Sequence, residues 1–96
     1  MVASSPEELD DLLEDAALLG DRQALTDLLD EDAVIVGRSW VGGTDLALDA
    51  LDGHVADSLR THLVGGLAVT VGSRVVVVSQ RARHGWTGVV AVRRTD

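Results

Sequence analysis

The sequence predicts an α+β fold, a cone-like, curved and mostly antiparallel sheet packed on N-terminal helices in the order α-α-β-β-α-β-β-β. Three observations carry this. Apolar residues recur at helical spacing through the first thirty positions. Valine-rich runs separated by glycine turns fill the C-terminal third. Charge divides along the same line: residues 1–59 hold fifteen of the sixteen acids and two of the eight arginines (−13), and residues 60–96 carry +5. Acidic helix faces come first and an arginine-edged sheet follows.

The first helix begins with Ser5 as N-cap, Pro6 at the first helical position and Glu8 where a capping box needs it. Leu9, Leu12, Leu13, Ala16 and Ala17 form its apolar stripe, and Glu7, Glu8, Asp10 and Asp11 suit the positive end of the helix dipole. Gly20 stops it. Asp21 caps a second helix that buries Leu25, Leu28 and Leu29 and ends at Asp30-Glu31-Asp32, because acids oppose the dipole there. Residues 33–36 read as a strand. Gly37 and Gly42-Gly43 bracket Arg38-Ser39-Trp40-Val41, a short strand or turn.

Thr44 caps a third helix whose apolar positions are Leu48, Leu51, Val55 and Leu59. Gly53 weakens it by ~1 kcal/mol relative to Ala and marks a kink or an early end. Residues 67–71 form a strand, Gly72-Ser73 a hairpin turn and 74–83 a long strand centred on four consecutive valines. That apolar run implies burial on both faces, or a strand at the centre of a curved sheet. His84-Gly85 turns the chain into a last strand over 86–94.

With 96 residues the chain is expected to form a single domain over 1–96. Composition removes several chemistries. There is no Cys, so no disulfide, thiol nucleophile or thiolate metal site. There is no Lys, so no Schiff base, and no Tyr, so no phenolic acid. The acidic balance argues against a nucleic-acid partner. No apolar stretch is long enough to suggest a membrane partner, and the N-terminus lacks signal-peptide character, so a cytoplasmic location is expected.

Residues 17–34, with a Gly-Asp step followed by Leu28-Leu29-Asp30-Glu31-Asp32-Ala33-Val34, resemble the opening of SnoaL-like proteins, within the nuclear transport factor two-like superfamily. Gly42-Gly43-Thr44 is similar to their glycine before the third helix, and the run from Val89 to their penultimate strand. The resemblance implies a cone of sheet around a helix, an apolar pocket inside and a homodimer. By that comparison the chain is a short member that lacks the last strand, leaving an open edge. Ketosteroid isomerases of the superfamily place an Asp base where this chain has Val36 or Gly37, and use a Tyr that it does not possess. The resemblance therefore carries no isomerase chemistry here.

No His spacing suits a metal, and no cofactor is expected. His54 has acid neighbours within its own segment, Asp57 at i+3 and Asp45, Asp49 and Asp52 before it, and otherwise reads as a partly exposed helix position. Asp45, at the start of the third helix, is either a pocket carboxylate or a dipole partner. Arg38 and Trp40 offer a cation and a ring beside flexible glycines, and Trp86 is a pocket wall or a core plug. Arg38, Trp40, Asp45, His54 and Trp86 are thus the candidate pocket residues. They suit a small apolar or anionic ligand. Two functions follow: a small-molecule-binding, cyclase-like domain, or a non-catalytic dimerisation or regulatory module. The sequence assigns no catalytic residue and leaves open whether a reaction is catalysed.

Overall fold

The computed structural model describes residues 2–37, 39–56 and 60–94. Helix α1 (Pro6–Leu19) starts as expected: Ser5 Oγ accepts from the Glu8 backbone N–H at 3.0 Å. The capping box is displaced by one residue, because Glu8 accepts from the Ser4 N–H at 3.0 Å rather than from Ser5. Gly20, at φ 65°, supplies the left-handed C-cap. Asp21 caps α2 (Arg22–Leu28) by accepting from Ala24 N–H at 3.0 Å.

Strand β1 (Leu29–Val36) begins directly after α2, so the three acids open a strand instead of ending a helix. A brief β2 (Val41–Gly42), a 3-10 turn (Thr44–Leu46) and α3 (Ala47–Ala50) follow. Then come β3 (Arg60–Val64), β4 (Leu67–Val71), β5 (Val75–Ala82) and β6 (Gly85–Arg93). The sheet is open, with strand order β2-β1-β6-β5-β4-β3. All neighbours are antiparallel except β1 and β6.

The third helix takes the early end expected as one outcome of Gly53: α3 stops at Ala50, and Gly53, at φ 73°, takes a left-handed conformation just past Leu51. Three expectations are corrected. Residues 60–64 form a sixth strand, joined to β4 through Gly65-Gly66 with Val64 opposite Leu67. The C-terminal strand is interior, between β1 and β5, so the open edges belong to β2 and β3. Two turns also slip by one residue, to Ser73-Arg74 and Arg83-His84.

The valine run of β5 is buried on one face only. Val75, Val77 and Ser79 point inward, and Val76, Val78 and Gln80 are half-buried. Inward residues of the sheet are small, including Ala68, Ser79, Gly88 and Ala91, which lets the helices approach closely. Leu9, Leu13, Leu25, Leu28, Ile35 and Leu51 fill the space between the layers. Gly88 makes room for Leu29: a Cβ there would lie 2.6 Å from its Cδ2. The opposite face carries two cross-strand valine rows. One is Val36-Val92-Val76-Val71, the other Val34-Val90-Val78-Val69.

Candidate functional site

On α1, Asp10 and Glu14 lie one turn apart on one face, and both reach the segment that leaves α3. The turn closes when the His54 N–H donates to Leu51 O at 2.8 Å. His54 Nε2 then meets Asp10 Oδ1 at 2.7 Å, across 44 residues of sequence. Two positions on, the Ala56 N–H donates to Glu14 Oε2. From the other side, Arg93 Nη1 donates to Ala50 O at 3.2 Å and to Asp52 O, and Arg74 Nη1 donates to Gly53 O at 3.4 Å. Carboxylates of α1 and arginines of the sheet end thus clamp the segment that carries His54.

The His54–Asp10 pair is buried, with relative exposures of 5% and 4%. An ionised carboxylate only accepts, so Nε2 carries the proton shared with Asp10. The other ring nitrogen, Nδ1, is buried and has no hydrogen-bond partner among the described residues. In the neutral ring this nitrogen bears a lone pair. An oriented imidazole with a free lone pair is able to accept a hydrogen bond or a proton.

The structure does not gather the four candidates that lie among the described residues. Trp40 is half-buried with its ring over Gly37, whose Cβ would lie 2.6 Å from it. It lines a cleft of about 160 Å³ with Asp49, Asp52 and Arg93. Asp45 is exposed on the 3-10 turn and borders a separate groove of about 150 Å³ with Arg22 and Leu48. Trp86 packs against the core and borders a third cleft, of about 240 Å³, with Leu28, Arg83 and His84. Arg38 lies outside the described residues. None of these three clefts contains His54.

His54 is corrected from a partly exposed helix position to a buried one, and Asp10 replaces Asp45, Asp49 and Asp52 as its partner. Asp57 lies outside the described residues. Asp10 and Glu14 did not emerge as site residues from the sequence. One signal for Asp10 is present: at 3.6 residues per turn it lies roughly 60° from Leu13, within the arc that α1 buries. Among the described residues, no group of three or more His, Asp or Glu could hold a metal ion.

No family model matches the sequence, and no curated protein matches it. Solved structures do. An NTF-2 like protein of unknown function from Silicibacter pomeroyi aligns over 90% of this chain and 88% of its own, with 20% identity and a TM-score of 0.68. The chain has the nuclear transport factor two-like fold. Two further solved structures match at greater coverage. A putative calcium/calmodulin-dependent protein kinase type II association domain from Thiobacillus denitrificans covers 99% of both chains, at 12% identity and a TM-score of 0.72. A protein of unknown function with a cystatin-like fold from Nostoc punctiforme covers 100% of this chain and 96% of its own, at 15% identity and a TM-score of 0.70. Among the described residues, no helix of the chain is long and apolar enough to cross a membrane.

Proposed function

We propose that the protein is a small-molecule-binding domain in which His54, oriented by Asp10, supplies the polar contact. One observation carries the reading: a buried, oriented imidazole retains an unused nitrogen among the described residues. Buried polar groups are almost always paired, and one left open marks a site that a ligand or water completes. The buried leucines of the elements that carry the pair, Leu9 and Leu13 on α1 and Leu51 just after α3, are apolar, which suits a small hydrophobic body with one polar group.

The test is a titration of isotope-labelled protein with small apolar alcohols and phenols, followed by the leucine methyl signals. Saturable shifts at Leu9, Leu13 and Leu51 support the reading. No saturable shift up to millimolar probe overturns it.

A second reading, compatible with the first, is a homodimer built on the valine face. The two rows cover roughly 20 Å across the strands and on the order of 350 Å² in projection, a size at which apolar patches mark interaction sites. Val34 is 42% exposed and Val41, beside Val36, 68%. That a fold neighbour is described as an association domain supports assembly through this fold. Sedimentation of wild type as a monomer at every concentration removes the dimer.

A further inference from the structure

We infer that Nδ1 of His54 is a hydrogen-bond acceptor for a neutral O–H or N–H donor of the ligand, and that Asp10 sets this preference by holding the ring in the Nε2–H form. The inference rests on the small-molecule reading above and narrows it to a ligand class: weakly polar alcohols, phenols or amides that donate, as opposed to ethers and carboxylates that only accept.

Nε2 of His54 and Oδ1 of Asp10 lie 2.7 Å apart. The proton between Nε2 and Oδ1 belongs to the imidazole if Asp10 is ionised, because a carboxylate has only lone pairs to offer. The tautomer with hydrogen on Nδ1 instead would set a lone pair of Nε2 against the carboxylate, and the two would repel. The neutral ring that satisfies Asp10 therefore presents a lone pair at Nδ1.

The backbone that carries the ring is clamped: residue 54 is tied to Leu51, Ala56 is held by Glu14, and the preceding turn is held by Arg93 and Arg74. The ring itself is oriented by its 2.7 Å bond to Asp10, and that bond sets the direction of the lone pair. A ligand that donates along it gains a hydrogen bond, whereas one that brings an acceptor faces lone-pair repulsion and leaves Nδ1 unsatisfied. Sites built around such a buried group discriminate strongly against analogues that cannot pair with it.

The probes are phenol, anisole and benzoate, which share a ring and differ in donor capacity at neutral pH. Binding is followed by nitrogen-15 spectra of the His54 ring. In wild type, phenol binds at least tenfold more tightly than anisole or benzoate and moves the Nδ1 resonance, not that of Nε2. In Asp10→Asn a side chain of the same shape can donate to Nε2 as well as accept from it, so the tautomer is no longer locked and the preference for phenol over anisole falls at least threefold. His54→Gln is the second variant and loses the Nδ1 signal together with the preference. Equal binding of phenol and anisole with Nδ1 unmoved overturns the inference and leaves the small-molecule reading standing. If none of the three binds and Nδ1 is paired to a bound water only, both fall.

Discussion

Removing the carboxylate of Asp10 is the most informative perturbation of the core. In Asp10→Ala, His54 keeps its burial but loses the acceptor on Nε2, so both ring nitrogens are unpaired among the described residues. A buried polar group left without its partner costs about 1–3 kcal/mol, and a hydrogen bond to a charged group is worth about 1.5–3 kcal/mol. An expected loss of about 3 kcal/mol follows. Part of any such loss could come from the helix dipole, worth about 0.3–1 kcal/mol for an acid near the N-terminus. Asp11→Ala, one position along and exposed, measures that part separately. For a domain of this size 1 kcal/mol corresponds to about 4–8 °C in Tm, so Asp10→Ala should fall by more than about 10 °C and Asp11→Ala by no more than about 8 °C. Urea unfolding at fixed protein concentration gives the free energies directly. The pair Asp10→Leu and His54→Leu completes a double-mutant cycle, in which the double variant should recover at least ~1.5 kcal/mol of the summed losses. Equal losses for Asp10→Ala and Asp11→Ala, or an additive cycle, would refute the coupling.

Other perturbations test other parts of the account. Ser5→Ala removes the N-cap of α1 and should cost about 1 kcal/mol, read as a Tm drop of about 4–8 °C. Gly85 sits at φ 153°, and a Cβ there would lie 2.4 Å from Ala3 O. Gly85→Ala should therefore cost about 2 kcal/mol and speed amide exchange at Trp86, whose N–H donates to Ala3 O at 2.9 Å. Arg93→Gln should speed exchange at His54 N–H, because it frees the carbonyls of Ala50 and Asp52 that hold the turn. Val78→Lys, in the centre of the valine rows, should abolish self-association seen by sedimentation while leaving the circular dichroism spectrum unchanged.

Most of the scaffold was legible because its signals are local. The cap of α1, the stop at Gly20, the cap at Asp21 and the strands from Leu67 onward all follow from residues within a few positions of one another. Strand β3 was hidden because Leu59 and His62 continue the spacing of Leu51 and Val55, which favours a helix, while the Gly65-Gly66 turn that joins it to β4 is the stronger signal. The valine run of β5 left two readings open; the strand lies inside the sheet with one face buried, a choice set by the layer order, which a run of identical valines does not encode. The His54–Asp10 pair was beyond local reasoning, since it joins residues 44 positions apart and Asp10 also fits the bland role of a dipole partner. Trp40 and Trp86 each read as a pocket wall or a core plug; both pack against the core and border clefts, but the clefts are separate.

The central claim is that His54 is a buried imidazole, held by Asp10 in one tautomer with its second nitrogen open. Long-range nitrogen-15 correlation spectra of the free protein test it directly, with His62 and His84, both exposed, as internal references. The account predicts one slowly exchanging proton on Nε2 of His54, a lone pair on Nδ1, and rapid exchange at the other two rings. A His54 ring that averages between tautomers and exchanges as fast as His62 and His84 would contradict it.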